Sequence, residues 1–206
     1  MQRAPNPWDR FYRYQEAPWR GERSLAPLQP WLPEPGTARV LELGVGNGKA
    51  QAPLLAAGHD VVALDISWNV LQRIPGQRIL ADAATLPFGD QAFRTVLDLH
   101  CTGHLLAAGR TQAHREQARV LTPGGHVVVQ RLHVDDLRAQ KGAEVEPGTR
   151  QLADGRRTHV SDETELRADL EAAGFTVVHL HVDRHQQRIR GGHAQRASIT
   201  MVGRAD

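Results

Sequence analysis

The chain has 206 residues, of which 40% are hydrophobic and 23% are charged, and this balance excludes a disordered chain. Its one cysteine, Cys101, excludes an intramolecular disulfide and a cysteine-based zinc site. No apolar run approaches the ~20 residues of a membrane-spanning helix, and the N-terminus lacks the apolar stretch of a secretory signal. We therefore expect a cytoplasmic protein without membrane association. The formal net charge of +2 neither requires nor excludes a nucleic-acid partner.

Residues 1–37 form an arm that is rich in proline and aromatic residues. Proline at this density prevents a long helix, although Ser24 is suited to cap a short one. One interpretation is an arm packed on the core, since aromatic side chains bury well. The functional interpretation is a lid over a ligand site, with Tyr14, Trp19 and Arg20 as candidate lid or substrate residues.

From residue 38 to residue 206, apolar strands alternate with amphipathic helices. This alternation predicts a parallel sheet covered by helices on both faces. The predicted strands are 40–43, 61–64, 78–81, 95–99, 126–130, 175–178 and 197–202, and the predicted helices are 49–57, one capped by Ser67, 111–121 and one beginning at Ser161. No helix separates the last two strands, so they should pair in an antiparallel hairpin.

The predicted fold class is therefore α/β, with a Rossmann-like seven-stranded sheet that is mostly parallel and has an antiparallel last strand. The polar segment at about 133–160 interrupts the alternation. We predict that it is an insertion beside the carboxyl edge of the sheet.

A glycine-rich loop, Gly44-Val45-Gly46-Asn47-Gly48, follows the first predicted strand, and Glu42 lies two residues before it. Glycines at this place let the backbone turn sharply while a ligand approaches closely. Lys49 stands where the dinucleotide motif G-x-G-x-x-G requires a third glycine.

Acidic residues end the next two strands, Asp65 the second and Asp82 the third. A carboxylate at such a strand end is able to accept both hydroxyl groups of a ribose. Each feature also has a simpler explanation, since the glycines suit a turn, Asp65 a helix cap and Asp82 an Asx-turn. Their occurrence at three successive strand ends favours a nucleotide-like ligand.

These residues resemble the class I S-adenosylmethionine-dependent methyltransferases, and most closely the small ubiquinone/menaquinone-type methyltransferase domains. The resemblance is strengthened by Leu86-Pro87-Phe88 after Asp82 and by the stretch Arg119-Val-Leu-Thr-Pro-Gly-Gly125. It implies S-adenosyl-L-methionine as the cofactor. The binding residues that it implies are Glu42, Gly44, Gly46 and Gly48 for the methionine part, Asp65 for the ribose, Ile66, Asp82 and Ala83 for the adenine, and Leu99 near the methyl group.

His100 and His104 follow the fourth predicted strand, where this resemblance places the methyl acceptor. A histidine there serves as a base or an orienting donor because it titrates near neutral pH, and packing alone is the alternative. The sequence 98–101 lacks the Asn/Asp-Pro-Pro-aromatic motif of the amino-methylating branch. This departure counts against exocyclic amines of nucleobases and glutamine amides as acceptors.

Two further groups of polar residues leave their role open. His179, His181, Asp183 and His185 alternate along one strand, which suits a solvated face better than a metal site, and we predict no metal. The second group consists of Arg150, Arg156, Arg157, Arg184, Arg188 and Arg190. These arginines would bind an anionic substrate or RNA if the fold clusters them, and otherwise lie scattered on the surface.

The leading hypothesis is an S-adenosylmethionine-dependent methyltransferase that transfers a methyl group to a small molecule by in-line displacement. An RNA (tRNA) or protein methyltransferase is the first alternative, and it would often act with a small activating protein. A non-catalytic regulator that binds S-adenosylmethionine is the second. A closed aromatic pocket would favour the small molecule, and an open face lined by arginine would favour RNA.

Overall fold

The computed structural model describes residues 6–15, 23–189 and 192–206, so Trp19, Arg20 and Arg190 lie outside the described residues. The helices of the described part are α1 (Pro7–Tyr14), α2 (Gln51–Ala56), α3 (Trp68–Leu71), α4 (Ala107–Val120) and α5 (Glu163–Ala172). None of them is long and apolar enough to cross a bilayer. The strands are β1 (Arg39–Leu43), β2 (Asp60–Asp65), β3 (Gln77–Leu80), β4 (Phe93–Leu99), β5 (Leu121–His133), β6 (Ala143–Glu146), β7 (Thr149–Gln151), β8 (Arg157–Ser161), β9 (Phe175–Ile189) and β10 (Gly192–Ala205).

The central sheet has the order β3-β2-β1-β4-β5-β10-β9. Neighbours from β3 to β5 are parallel, whereas β10 is antiparallel to both β5 and β9. This arrangement confirms the predicted Rossmann-like α/β fold with its antiparallel last strand. Its parallel part presents the carboxyl ends of β1 to β5 along one edge, which is where open α/β sheets bind ligands.

The segment at 133–160 contains more regular structure than its polar sequence predicted. The strands β6, β7 and β8 form an antiparallel meander, and β8 continues in parallel beside the end of β5 through the pairs Leu132↔Val160 and His133↔Ser161. The described residues therefore contain ten strands rather than seven. As predicted, the segment lies at the carboxyl edge of the central sheet.

The core occupies both faces of the sheet because successive residues of a strand point to opposite sides. Leu41 and Leu43 belong to the cluster that contains Leu166 of α5, whereas Val40 belongs to the cluster that contains Leu54 of α2. All five side chains are fully buried. Burial on both faces explains why β1 is an apolar run rather than an alternating strand.

The hairpin of β9 and β10 is longer than the predicted strands 175–178 and 197–202. Its outer part is exposed, so its side chains are polar and give no apolar pattern, while pairing of the two backbones continues from Val202↔His179 to Gly192↔Ile189. His179, His181, Asp183 and His185 lie on this exposed strand. The described residues contain no group of acidic, histidine or cysteine side chains arranged to hold a metal ion.

Helix starts also differ from the prediction. Asp162, not Ser161, caps α5, because its side chain accepts the backbone N–H of Glu165 and Ser161 still belongs to β8. At α3, Ser67 occupies the N-cap position but its hydroxyl donates to Asp9. In the arm, the segment after Ser24 forms turns and a short 3-10 helix at Gln29–Trp31.

Candidate active site

A cavity of about 740 Å³ opens at the carboxyl ends of the parallel strands. Helix α1 and the segment at 133–160 add walls to it. The predicted site residues that line it are Glu42, Gly44, Gly46, Asp65, Ile66, Asp82, Ala83, Leu99, His100 and His104. A volume of this size is typical of a small-molecule site.

The three glycines of the loop have positive φ angles, +62° at Gly44, +52° at Gly46 and +76° at Gly48. A Cβ on Gly44 would lie 2.8 Å from Sγ of Cys101, so the close approach of the loop to the end of β4 requires glycine. Gly48 does not line the cavity, and its backbone N–H closes the turn on the Val45 carbonyl. The first two glycines thus form the cavity floor, and the third shapes the turn.

Glu42 is buried at the end of β1, and its Oε2 atom has no hydrogen-bond partner. Burial raises the pKa of this carboxyl to about 8, against the opposing charge of Arg23. A buried carboxyl oxygen without a hydrogen-bond partner is costly to the fold, so its retention at the cavity wall indicates a ligand group. A cationic or N–H-bearing group of a ligand would supply the missing partner.

Asp65 connects the glycine loop to the start of α3. Its two carboxylate oxygens accept the backbone N–H groups of Gly46 (3.1 Å) and Ser67 (2.9 Å). Burial raises its pKa to about 6, while these hydrogen bonds act in the opposite direction. The side chain is therefore held in place, and a carboxylate, with about four lone-pair sites, is still able to accept a hydroxyl group.

Asp82 follows β3, and its Oδ1 accepts the backbone N–H of Ala84 at 3.0 Å. This is the Asx-turn that the sequence left as an alternative. It also positions the carboxyl group at the cavity, beside the lining residues Ile66 and Ala83. The turn and a ligand-binding role are therefore compatible.

A turn after β4 carries both candidate catalytic histidines. Asp98 holds this turn, because its carboxylate accepts the backbone N–H groups of Cys101 (2.9 Å) and Thr102 (3.0 Å). His100 has a positive φ of +76° there, which a residue other than glycine adopts only when its surroundings impose it. The turn thereby brings His100 and His104 to the same cavity.

Both histidines are neutral in this environment. Burial lowers the pKa of His100 to about 3, and the charge of Arg23 adds to the effect. Burial also lowers the pKa of His104. The Nδ1 atom of His104 lies 2.6 Å from the Arg157 carbonyl, which accepts only, so Nδ1 carries the proton. Nε2 of the neutral ring is then a hydrogen-bond acceptor.

Helix α1 covers one side of the cavity. Asn6 donates to the Ile66 carbonyl at 3.0 Å, and Asp9 accepts the hydroxyl of Ser67 at 3.0 Å. Trp8 and Tyr12 line the cavity. By contrast, Tyr14 is 76% exposed and does not line it.

Sequence reasoning missed most of the basic side chains in the cavity wall. Of the six arginines considered, Arg156 and Arg157 line the cavity, whereas Arg150, Arg184 and Arg188 do not. Four other arginines line it, namely Arg23, Arg131, Arg138 and Arg196. Arg131 directly follows the predicted strand 126–130, and this position at the carboxyl edge was the available signal.

Arg119, part of the stretch that supports the resemblance, does not line the cavity. Its guanidinium donates to the carbonyls of Leu86 (3.1 Å) and Phe88 (2.8 Å) and to the carboxylates of Glu116 and Asp90. Arg119 therefore fixes the segment that follows Asp82 and supports the site indirectly.

Comparisons with known proteins agree with this geometry. Residues 41–129 match a family model described as a methyltransferase domain. The fold matches a S-adenosylmethionine-dependent methyltransferase of Methanosarcina mazei with a TM-score of 0.73 at 18% identity, covering 89% of this chain and 98% of that one. The chain therefore has the fold of these methyltransferases, and residues 41–129 resemble the methyltransferase family.

Two further similar proteins are methyltransferases whose names state the methyl acceptor. The demethylmenaquinone methyltransferase of Renibacterium salmoninarum is 36% identical over 96 residues, which are 44% of this chain and 40% of that protein. The chain is also similar in fold to the 1,6-didemethyltoxoflavin-N1-methyltransferase of Burkholderia thailandensis, at a TM-score of 0.62 and 23% identity, covering 88% of this chain and 75% of that one. That structure contains S-adenosylhomocysteine and 1,6-didemethyltoxoflavin. The aligned part spans less than half of the curated relatives that it matches.

The residues present fit S-adenosylmethionine, on which the Methanosarcina mazei methyltransferase of similar fold depends. Oε2 of Glu42 lacks a partner that the ammonium group of the cofactor would supply. The oxygens of Asp65 are fixed by backbone donors and remain able to accept ribose hydroxyls. Gly44 and Gly46 leave the cavity floor without side chains.

Proposed function

We propose that this protein is an S-adenosylmethionine-dependent methyltransferase with a small-molecule acceptor. The observation that carries the proposal is that one cavity holds both the cofactor-binding residues and the two histidines, and that α1 covers it. A covered cavity of about 740 Å³ must accommodate the cofactor and the acceptor together, which favours a small acceptor. The quinone and toxoflavin methyltransferases among the relatives act on small molecules, in support of this choice.

Some residues of the site bind the cofactor, and others orient the acceptor. When bound, S-adenosylmethionine supplies an electrophilic methyl group. Glu42 holds the ammonium group of the cofactor, and Asp65 holds its ribose hydroxyls. The glycine loop lets the ligand lie close to the backbone. His104 offers an unprotonated Nε2 that orients an acceptor hydroxyl or removes its proton. Alignment and exclusion of water supply the rest of the acceleration.

The covering helix contributes to orientation. Trp8 of α1 lies against His104 and lines the cavity together with Tyr12, so the acceptor end is bounded by aromatic surface. Such surface excludes water and packs against a planar acceptor. We propose on this basis that the arm at residues 1–37 acts as a lid, and its members Trp19 and Arg20 lie outside the described residues.

Tritium-labelled S-adenosylmethionine tests the proposal. The purified chain is incubated separately with the small-molecule, RNA and protein fractions of the cells that make it. We expect label in the small-molecule fraction, and loss of labelling in Asp65→Ala but not in Asp60→Ala, a control at the opposite end of β2. Label in RNA or protein would identify a macromolecule methyltransferase, and cofactor binding without labelling of any fraction would indicate a regulator.

A further inference from the structure

The acceptor end of the cavity has a wall of five arginines, Arg131, Arg138, Arg156, Arg157 and Arg196, which we call the arginine wall. We propose that this wall binds a carboxylate or phosphate group of the acceptor, so that the substrate is a small anion. This inference rests on the proposed function and specifies its substrate class. The acceptor is a small molecule rather than RNA, because α1 and the volume of the cavity limit the access of a macromolecule to the wall.

Separate parts of the chain deliver these arginines to one place. Arg131 belongs to β5, Arg138 to the loop after it, Arg157 to the start of β8 and Arg196 to β10. Arg138 and Arg156 both act electrostatically on His104. Two arginines of the wall are therefore close enough to act on the histidine that we place beside the acceptor.

The carboxylates in contact with the wall do not neutralise it. Arg138 and Arg196 share one carboxylate, that of Asp136, at 2.7 and 3.0 Å. The Nε atom of Arg157 donates to the neutral amide of Gln151 at 3.0 Å, and no carboxylate contacts Arg157 among the described residues.

The other two arginines of the wall each have one carboxylate partner. These pairs are Arg156 with Asp154 and Arg131 with Asp169. Within the described part of the chain, the five guanidinium groups of the wall thus contact three carboxylates, Asp136, Asp154 and Asp169, which leaves two positive charges in excess. Such an excess raises the local concentration of anions in a confined cleft.

The acidic residues of the cavity lie at its other end. Among the described lining residues these are Glu42, Asp65 and Asp82, at the ends of β1, β2 and after β3. Arg23 is not counted in the arginine wall because it acts on Glu42, at the cofactor end. The cavity is therefore polarised, with its acidic residues at the cofactor end and five of its six arginines, among the described lining residues, at the acceptor end.

Arg131 adds evidence for a built binding surface. The side chain is fully buried, and its terminal nitrogens are fixed by Asp169 (3.0 Å), Ser161 (3.1 Å) and the ring of His114 (2.6 Å). Its Nε has no hydrogen-bond partner although it is buried. A buried cation of fixed geometry at a cavity wall lowers the ordering cost of binding an anion.

Calorimetric titration of the full chain tests the proposal with benzoate and phenyl phosphate as anions and benzamide as the uncharged analogue. Each is titrated with and without S-adenosylhomocysteine. We expect at least one anion to bind tenfold or more tightly than benzamide, and the comparison of the two anions identifies the preferred group. Equal binding of benzamide, or no binding of either anion, would overturn the proposal.

Substitutions of single arginines test whether the anions bind at the arginine wall. Arg157→Gln is expected to weaken anion binding at least tenfold, whereas Arg115→Gln on the exposed face of α4 leaves it unchanged. If melting shows that Arg157→Gln does not fold, Arg138→Gln serves instead, since Arg196 continues to pair with Asp136. Equal anion affinity in wild type and the folded wall variant contradicts the proposal.

Two further measurements distinguish a failure of this proposal from a failure of the proposed function. Failure of S-adenosylhomocysteine to bind removes the proposed function, while the titration without it still decides whether the wall binds anions. A single-stranded RNA 20-mer provides the other comparison. Binding of the RNA with the same dependence on Arg157, and without binding of the small anions, would replace the small acceptor by a nucleic acid.

Discussion

The indole of Trp8 lies against the imidazole of His104, with ring centroids 4.5 Å apart and planes inclined by 56°. This contact links the N-terminal helix to the turn that carries the candidate catalytic histidines. It buries the face of His104 and orients the ring, so the arm influences the acceptor end as well as the stability of the fold. A contact of this kind is worth about 0.5–1.5 kcal/mol beyond the area that it buries.

Trp8→Ala is therefore expected to impair acceptor use more than cofactor binding. The change removes the ring beside His104 but leaves Asn6 and Asp9 in contact with the α3 region. We expect methyl transfer to fall at least tenfold, with the affinity for S-adenosylhomocysteine changed less than threefold. Tyr14→Ala is the matched control, since Tyr14 is on the same helix and 76% exposed. A loss of melting temperature with normal transfer at low temperature would mean that Trp8 only packs.

Deletion of residues 1–21 tests the part of the arm that contains α1. Without the arm the cavity loses its cover, including Tyr12, whose hydroxyl would lie 3.0 Å from a Cβ on Gly46. We expect a folded core with weaker cofactor binding and no methyl transfer. Melting temperature and calorimetric affinity are measured on the same sample, and a purely thermal loss with normal affinity would exclude the lid.

Asp65→Ala is expected to reduce the affinity for S-adenosylhomocysteine at least tenfold. The side chain would accept hydroxyl groups of the ligand, and hydrogen bonds to a charged group contribute about 1.5–3 kcal/mol each. The melting temperature should fall as well, because Gly46 and Ser67 lose the acceptor of their backbone N–H groups. Calorimetry compares it with Asp60→Ala, and unchanged affinity would show that Asp65 is only a cap.

The sequence predicted the cofactor end of the site because its residues follow strands directly. Glu42, Asp65 and Asp82 each lie at or beside a strand end, and strand ends of a parallel sheet converge by topology alone. The acceptor end could not be predicted in this way. Arg138 and Arg196 are 58 positions apart in the chain, and both donate to the carboxylate of Asp136. No local pattern in the sequence predicts that contact.

The hairpin and the segment at 133–160 were incomplete in the prediction for a related reason. β6 and the outer part of β9 are exposed, so their side chains lack the apolar alternation that reveals a half-buried strand. In β7 and β8 the buried positions are mainly polar, as at Thr149 and His159, and give no apolar pattern either. Val178 and Leu180 are exposed, and the residues between them and Ile189 are mainly polar. A pattern that depends on burial cannot show strands whose faces are both solvated.

Arg119→Gln is expected to destabilise the fold by about 1–2 kcal/mol, since it removes charge-assisted hydrogen bonds that are partly screened by solvent. These bonds hold the carbonyls of Leu86 and Phe88 near the cavity. Urea denaturation measures the loss, and Arg115→Gln on the same helix serves as the control. We expect the affinity for S-adenosylhomocysteine to fall less than in Asp65→Ala, and an equal fall would place Arg119 in direct contact with the ligand.

The raised pKa of Glu42 predicts that cofactor binding releases a proton. Without ligand, burial raises this pKa to about 8, so the carboxyl group is mainly protonated at pH 7. A cationic ammonium group beside it favours the carboxylate and lowers the pKa. Binding of S-adenosylhomocysteine at pH 7 should therefore release up to one proton. Calorimetry in phosphate and in Tris, whose ionisation enthalpies differ, measures the number released.

The same shift sets the sign of a stability change. A group whose pKa is higher in the folded protein than its ordinary value of 4.5 binds more protons when folded, so its contribution is fully present below pH 4.5 and declines as the pH rises to about 8. The pKa of Asp65, raised to about 6, acts in the same direction. The lowered pKa values of His100 and His104 act in the opposite direction up to their ordinary value of 6.5, so the change is measured above that pH. The melting temperature of the unliganded protein should thus fall from pH 7 to pH 8, and less so in Glu42→Gln. That variant should also bind S-adenosylhomocysteine at least tenfold more weakly and without the proton release. Equal proton release in wild type and Glu42→Gln would assign the titrating group elsewhere.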